Sequence, residues 1–356
     1  AVHTDLRTLA PAQAAAPLLR PPPEAESAGD IELDGARLAV ARRLREVMSA
    51  SAAATLLATT ATALLAPLPE PQAVEQAGRL LRAGSSEHGF AALVGALSAA
   101  GYVREPEVVA KGQMAVRGGL LDVWPPDAPL PIRVDFFGDT VESLRTFDPA
   151  TQRSVDKVES IRLLPAREFP LEKKAVTDFR GRFRERFDVD YRRCPIYQDL
   201  ASGITPAGIE YYLPLFFEET GTLFDYLPGD TQVFSLPGIE QAAEQFWLDA
   251  RTRYEDRRVD PERPLLPPAD IFLPVEDCFA RLKHWPRVVV SQEAVEVGVG
   301  RERFDARALP DLAIQAKASE PLAALRRFIE EYPGRVLFCA ESAGCRAVLL
   351  ELLARL

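Results

Sequence analysis

The stretch PIRVDFFGDTVESLRTF, residues Pro131–Phe147, decides the fold because it carries the pattern of a β-hairpin. Apolar and polar residues alternate on both sides of the Gly138–Asp139 pair, which is a good two-residue hairpin loop. A loop at this place sets the register of the two strands. Three pairs across the strands are predicted: Phe137 with Thr140, Phe136 with Val141, and Arg133 with Leu144.

The same alternation predicts two different faces, because successive side chains of a strand point to opposite sides. The core face should be apolar and should carry Ile132, Val134, Phe136 and Val141. The open face should carry Arg133, Asp135, Phe137, Thr140, Glu142 and Leu144. Arginine and phenylalanine on rigid strands, with Arg117 as a third nearby basic residue, are typical of a protein-binding hot spot. The residues leave an alternative open, in which Phe137 tucks under a loop and Arg133 pairs with Glu142.

Further strands and helices are predicted on both sides of the hairpin. Four runs have the alternation of strands: Met114–Val123, Pro131–Phe137, Thr140–Phe147 and Asp156–Leu164. Helical periodicity marks Ala73–Arg82, Phe90–Ala100, Glu172–Asp188, Gly238–Arg253 and Val275–Lys283. Near the end of the chain, the pattern predicts a helix, a strand and a helix at Leu322–Tyr332, Arg335–Ala340 and Ala343–Leu356. This order is typical of the opening of an α/β domain.

Composition excludes several classes of protein. With 356 residues, 47% hydrophobic and 26% charged, the chain is long and apolar enough for two or three folded domains. The net charge of −10 argues against a protein that coats nucleic acid. Four scattered cysteines without a CxxC pair, and only three histidines, predict neither a zinc site nor a disulfide framework. The apolar run Ser51–Pro67 is too short for a membrane span, and the scattered cysteines indicate a reducing cytoplasm.

Two long phrases resemble a known family. The stretch from Gly112 to Ser154, followed by LLPAREFP, is similar to the domain-2 signature that UvrB shares with the transcription-repair coupling factor, Mfd. The phrase ITPAGIEYYLPLFFEETGTLFDYLP is similar to the next stretch of both proteins. The letters QRS at Gln152–Ser154 and RPLLPP at Arg263–Pro268 favour the coupling factor over UvrB. The resemblance runs from about Asp30 to the end of the chain.

The resemblance implies an α/β fold class with a degenerate helicase-like domain of the RecA-type, UvrB-like kind. A small β-rich UvrA-binding domain is inserted into it, and the start of a further α/β domain follows. The expected intervals are 1–78 for the first part of the α/β domain, 79–165 for the β-rich domain, 166–300 for the second part, and 301–356 for a linker and the next domain. The chain is expected to be truncated at both ends.

The resemblance also implies a partner and a set of contact residues. In the family, UvrA contacts fall on an arginine of the VRGG phrase and on two residues of the RxDFF phrase, which correspond here to Arg117, Arg133 and Phe137. The implied function is docking, by which UvrA is recruited to RNA polymerase stalled at DNA damage. In the family, RNA polymerase and DNA are bound further along the chain, where an ATP- and magnesium-dependent translocase motor lies. A C-terminal domain of the parent protein is expected to mask the UvrA-binding face.

ATP hydrolysis in this segment is the main rival function, because UvrB hydrolyses ATP. That chemistry needs a GxxxxGK[ST] loop and an acidic pair after an apolar strand. No GK[ST] occurs in the sequence, and the letters SLPG at 235–238 stand where the acidic pair is expected. The segment is therefore expected to hold no catalytic residue, no cofactor and no metal. A UvrB-type helicase, a direct DNA binder and a purely structural spacer remain as alternatives.

Overall fold

The structure is a computed structural model that describes residues 37–44 and 56–291 and the strand at 18–19. Beyond these, it describes residues 293, 295–303, 311–312, 320, 322–334, 336, 338, 340 and 342–354. The chain divides into two compact units, one spanning Leu6–Val290 and the other formed by Ala1–Asp5 with Ser291–Leu356.

The larger unit begins with short elements. Strands β1 (Leu18–Leu19) and β2 (Ala58–Thr59) pair in parallel, and residues 37–44 form helix α1. Helices α2 (Ala61–Leu65) and α3 (Pro71–Ala77) follow, and then strand β3 (Arg79–Arg82) and helix α4 (Phe90–Ala99). The predicted helix Ala73–Arg82 is therefore wrong in its second half, because the chain leaves the helix at Gly78 and continues as a strand.

A six-stranded sheet forms the centre of this unit. Its strands lie in chain order: β4 (Val103–Arg104), β5 (Gln113–Arg117), β6 (Leu120–Val123), β7 (Ile132–Phe137), β8 (Thr140–Phe147) and β9 (Ser154–Val158). The first pair is parallel and all the others are antiparallel. The predicted run Met114–Val123 is thus two strands joined by a tight glycine turn.

The apolar face of the sheet packs against helix α4. Leu93 and Leu97 of this helix are buried in one cluster with sheet residues such as Val134 and Leu144. After the six-stranded sheet, strand β10 (Ser160–Leu163) pairs antiparallel with β3, which precedes the sheet in the sequence. The predicted strand Asp156–Leu164 is therefore wrong as a single element, since its two halves belong to different sheets.

The rest of the larger unit is mostly helical. Its elements are α5 (Lys173–Arg186), α6 (Pro195–Ala201), β11 (Val233–Ser235), α7 (Ile239–Arg257), α8 (Pro268–Ile271), α9 (Val275–Leu282) and β12 (Arg287–Val289). Short 3₁₀ helices lie at Tyr191–Arg193, Ile209–Leu215 and Leu223–Tyr226. Aromatic side chains fill a second core, in which Phe179 packs against Phe216 with ring centroids 4.6 Å apart. β11 and β12 pair in parallel.

A buried ion pair joins the beginning of this unit to the segment that follows the sheet. The Nε of Arg37 in α1 donates to Glu168 at 2.5 Å, and its Nη2 donates to the carbonyl of Pro67 at 2.8 Å. Both charged side chains are almost fully buried. Because a buried charge is tolerated only when it is paired, this contact ties two distant parts of the chain together.

The smaller unit contains two described helices, α10 (Ala323–Glu331) and α11 (Ala343–Leu353). They confirm the predicted helices near the end of the chain. The strand predicted at Arg335–Ala340 cannot be followed, because positions 335, 337 and 339 lie outside the described residues. Among the described helices, none is both long enough and apolar enough to cross a bilayer.

Candidate protein-binding face

The register of the β7–β8 hairpin follows the prediction only near its tip. Phe137 pairs with Thr140 and Phe136 pairs with Val141, as expected from the Gly138–Asp139 loop. The predicted pair of Arg133 with Leu144 is wrong. The register shifts between Asp135 and Phe136, since Asp135 pairs with Ser143 and leaves Glu142 as the extra residue of a β-bulge.

The bulge changes which residues share the open face. Leu144 pairs with Val134 and is completely buried in the core, so its predicted place on the open face is also wrong. Arg145 takes its place, directly opposite Arg133, and is exposed. A shift by one residue moves every following side chain to the other side of a strand, which is why a local bulge has this effect.

Phe137 projects into solvent at the end of the hairpin. It is 81% exposed, which makes it one of the most exposed large apolar side chains among the described residues. The alternative in which Phe137 tucks under a loop is therefore wrong. The backbone beneath it is fixed, because Val141 accepts from Gly84 N–H at 2.7 Å and donates to the carbonyl of Ser85 at 2.9 Å. Phe136 points inward and packs edge-on against Phe90, with the two ring centroids 5.2 Å apart.

The glycine turn between β5 and β6 brings Arg117 to the same face. Gly118 has a φ of +59°, a conformation that glycine adopts without strain. A Cβ on Gly119 would lie 2.8 Å from the carbonyl oxygen of Phe136, so only glycine allows this close approach to β7. Arg117 then pairs with Leu120, which in turn pairs with Asp135 of β7.

A buried carboxylate joins the two arginines of the face. Asp122 is only 1% exposed, yet it accepts hydrogen bonds from Arg133 Nε at 2.7 Å and Arg133 Nη2 at 2.8 Å. It also accepts from Arg117 Nη2 at 3.2 Å. The alternative in which Arg133 pairs with Glu142 is therefore wrong. Sequence reasoning missed Asp122, although a lone carboxylate inside the apolar run LLDV was a visible signal.

Arg133 is held on its remaining sides as well. Its Nη1 donates to the carbonyl of Gln152 at 3.2 Å, and its guanidinium carbon lies 4.7 Å from the ring centre of Phe147. Gln152 adopts a φ of +59°, which is unusual for a residue other than glycine and turns its carbonyl towards Arg133. The hydrogen bonds to Asp122 raise the pKa of Arg133, so this side chain stays charged.

The structure thus brings the predicted contact residues to one face. Arg117 and Arg133 meet at Asp122, and Phe137 stands two residues beyond Asp135 on β7. On this face the exposed ring of Phe137 can fill an apolar notch of another protein, and the partly exposed guanidinium of Arg117 can bind a carboxylate there.

The described residues contain no group of three or more His, Cys, Asp or Glu that could hold a metal ion. In the larger unit, β11 ends at Ser235, and Gly238 with a φ of +86° leads into helix α7. The turn between them contains Leu236 and Pro237 and therefore offers no carboxylate for Mg²⁺.

Comparisons with known proteins agree with this description. A family model described as "UvrB interaction domain" matches residues 83–169, which include the whole face. A second model, "MFD, D3 domain", matches residues 328–356.

Several curated relatives carry one name. The chain is 46% identical over 262 residues to the transcription-repair-coupling factor of Haemophilus influenzae, covering 73% of the chain and 23% of that protein. It is 45% identical over 261 residues to the protein of the same name in Escherichia coli, with the same coverage. A relative from Myxococcus xanthus is 35% identical over 196 residues, 51% of the chain and 16% of that protein. The chain spans about a quarter of the length of the first two relatives. The chain is therefore similar to one segment of the transcription-repair coupling factors, and its residues 83–169 match the UvrB interaction domain.

Proposed function

We propose that this chain is the docking region of a transcription-repair coupling factor and that it binds UvrA through Arg117, Arg133 and Phe137. Docking would recruit the excision-repair machinery to RNA polymerase stalled at DNA damage. The observation that carries this proposal is Phe137, an aromatic ring 81% exposed on a fixed hairpin within the UvrB interaction domain. Exposing a large ring costs hydrophobic free energy, so a ring held open in this way favours a partner that covers it.

The proposal is tested by titrating the full chain with purified UvrA in a calorimeter. Phe137→Ala should weaken binding by about 2 kcal/mol, the loss typical of a central aromatic contact. Leu248→Ala is the matched control, because Leu248 is also an exposed apolar side chain but lies on α7, far along the chain from the sheet. Equal affinities of the wild-type chain and Phe137→Ala for UvrA would place the binding surface elsewhere.

We further propose that the parts flanking the sheet form a degenerate RecA-type domain without ATPase activity. The parallel pairing of β11 with β12 supports a RecA-type arrangement, and the SLPG turn after β11 supports the loss of chemistry. A phosphate-release assay with ATP and Mg²⁺ should give no turnover above that of buffer. Steady hydrolysis by the full chain would instead support the UvrB-type helicase.

The wider role is proposed for the parent protein in the bacterial cytoplasm. There, a motor outside this chain would use ATP and magnesium, and other regions would bind RNA polymerase and DNA. A C-terminal region of the parent would mask the open face until the motor engages DNA. Direct DNA binding by this chain is disfavoured by its net charge of −10, and it would show as tight binding to duplex that weakens steeply with salt.

A further inference from the structure

The turn between β8 and β9 lies against the guanidinium of Arg133. This turn contains Gln152, the first residue of the QRS motif. The backbone carbonyl of Gln152 accepts from Arg133 Nη1 at 3.2 Å, whereas Arg133 Nε and Nη2 donate to Asp122. Two separate parts of the chain, β6 and the turn, therefore hold the same guanidinium.

The backbone of Gln152 is in a strained conformation. Its φ of +59° lies in the left-handed region, which glycine enters freely and other residues enter at a cost. The side-chain amide anchors this conformation, because Nε2 donates to the carbonyl of Val108 at 3.1 Å and to that of Pro149 at 2.8 Å. The Oε1 of the same amide is buried, and no described residue donates to it. Glycine would avoid these costs, so the amide anchor is what a glutamine contributes here.

The contacts with Asp122 and Gln152 leave part of Arg133 for a partner. An arginine side chain has five N–H groups. Three nitrogen atoms of Arg133 each donate one hydrogen bond to a described residue, so two N–H groups remain. The Arg133 side chain is 18% exposed, which lets these groups meet a molecule that covers the face.

Two carboxylates offset part of the charge of Arg133. The hydrogen bond to Asp122, and then the charges of Asp122 and Asp135, raise the pKa of Arg133. Asp135 keeps its charge while it accepts from Ser143 Oγ at 2.7 Å. A carboxylate of a partner is therefore bound by Arg133 through directed N–H groups more than through an excess of charge, and the orientation of the guanidinium matters.

We propose that Gln152 is a positioning residue for partner binding: it fixes the guanidinium of Arg133 in the orientation in which the two remaining N–H groups meet a carboxylate of the partner. The identity of the partner as UvrA rests on the proposed function. Arg133 makes the contact, and Gln152 acts through Arg133 without touching the partner. A guanidinium that is fixed in advance loses less conformational freedom on binding. The QRS motif thereby has a part in docking.

The first experiment is a double-mutant cycle, measured by titrating the full chain with UvrA in a calorimeter. Gln152→Gly keeps the left-handed backbone without strain but removes the amide anchor, and it should weaken binding by roughly 5-fold. In a chain with Asp122→Asn and Arg133→Gln, the same substitution should change the affinity by less than about 2-fold, because the guanidinium is already absent. These two background substitutions are combined so that no buried charge is left unpaired. An equal loss in both backgrounds would overturn the proposal, as would a Gln152→Gly variant that binds like the wild type.

Gln113→Ala is the matched control for the loss of an amide anchor. The Oε1 of Gln113 accepts from the N–H groups of Val109 and Ala110, so this amide holds a different turn, before β5. Its removal should lower the urea midpoint and leave the affinity for UvrA within about 2-fold of the wild type. Gln152→Gly should leave the midpoint nearly unchanged, because relief of the backbone strain offsets the lost hydrogen bonds. Comparable losses of affinity in the two variants would overturn the positioning role.

NMR of the Arg133 side chain gives a readout that does not need UvrA. The order parameters of the guanidinium nitrogens should be lower in Gln152→Gly than in the wild type, because one anchor of the group is lost. Equal order parameters would overturn the inference whether or not UvrA binds. If the wild-type chain fails to bind UvrA while the order parameters still fall in Gln152→Gly, the proposed function is wrong and the fixing of Arg133 by Gln152 is confirmed.

Discussion

The side chain of Asp139 caps a helix that begins far away in the sequence: its Oδ1 accepts a hydrogen bond from the N–H of Phe90 at 3.0 Å. Asp139 is the second residue of the two-residue loop that carries Phe137, and Phe90 is the first residue of α4. The loop of the hairpin therefore supplies the cap that the helix lacks from its own N-cap residue, Gly89. This contact fixes the tip of the hairpin against the core of the domain.

Removing this cap should cost both stability and binding. Asp139→Ala is expected to lower the free energy of unfolding by about 1 kcal/mol and to weaken UvrA binding, because the tip that holds Phe137 is released. Asp139→Asn keeps an acceptor oxygen and should retain most of the stability and most of the affinity for UvrA. Thr60→Ala is the matched control, since Thr60 caps the distant helix α2 through Ala63 N–H and should lower stability without a change in affinity. Equal loss of affinity in both variants would argue against a special role of the tip.

Two glycine-to-alanine substitutions should change the free energy of unfolding in opposite directions. A Cβ at Gly119 would meet the Phe136 carbonyl oxygen at 2.8 Å, so Gly119→Ala should destabilise the protein by about 1–3 kcal/mol. Gly95 lies exposed inside helix α4, and a Cβ there would meet nothing within 4 Å, so Gly95→Ala should stabilise by roughly 0.5–1 kcal/mol. Urea unfolding of the two variants shows whether each is more or less stable than the wild type. A Gly119→Ala variant as stable as the wild type would contradict the close approach of Gly119 to the carbonyl oxygen of Phe136.

Phe147 should matter for stability, in contrast to Phe137. It is completely buried beside Val108 and Ala115 and lies under the guanidinium of Arg133. Phe147→Ala is expected to lower the free energy of unfolding by about 3–5 kcal/mol. Phe137→Ala, in the same sheet but exposed, should leave the unfolding midpoint nearly unchanged. Similar losses in the two variants would mean that Phe137 is covered in solution.

The cysteines should differ in their reaction with iodoacetamide. Burial raises the pKa of Cys278 to about 11 and also raises the pKa of Cys194, so little reactive thiolate forms at a mildly alkaline pH of about 8. Cys345 is exposed and should be alkylated first, while Cys339 lies outside the described residues. Mass spectrometry of a time course gives the order, and in denaturant the difference should vanish. Rapid labelling of Cys278 in the folded chain would contradict its burial.

The turn that aims Gln152 at Arg133 should respond to acid. Asp148 Oδ1 accepts from the backbone N–H of Thr151 and Ala150, and these hydrogen bonds hold the pKa of Asp148 below its ordinary value. The Asp148 carboxylate therefore binds a proton more readily in the unfolded chain than in the folded chain. Its hydrogen bonds stabilise the folded protein at a pH above the ordinary pKa of aspartate, and this stabilisation is lost as the pH falls through the lowered pKa of Asp148. Asp148→Asn should be less stable than the wild type at neutral pH, with the difference shrinking in acid. A constant difference at all pH values would exclude this linkage.

Local patterns predicted the part of the site that local chemistry determines. The Gly138–Asp139 loop and the alternation around it correctly placed Phe137 at the tip and Phe136 in the core. The bulge at Glu142 was not predicted, because strict alternation along Thr140–Phe147 puts Leu144 on the open face, whereas the extra residue moves Leu144 into the core. As a result the partner of Arg133 was assigned wrongly, and Arg145 was overlooked.

Features that depend on distant parts of the chain were harder to predict. Asp122 could be read as charged but not as buried, since its burial follows from two arginines on neighbouring strands. Arg79–Arg82 was predicted as helix because it continues a helical pattern, whereas its strand partner, Ser160–Leu163, lies on the far side of the sheet in sequence. Local propensity is a weak guide where tertiary pairing decides.

The pairing of β3 with β10 has a consequence for how this segment relates to its host. The chain passes through β3 before it forms the six-stranded sheet and through β10 after it, and these two strands pair with each other in opposite directions as a separate sheet. Entry and exit therefore lie close together, which is the geometry that lets a folded segment be inserted into another chain without stretching it. A segment of this kind can be moved from one protein to another as a single folded unit. The open face would be moved with it, because the strands that form this face all lie between β3 and β10 in the sequence.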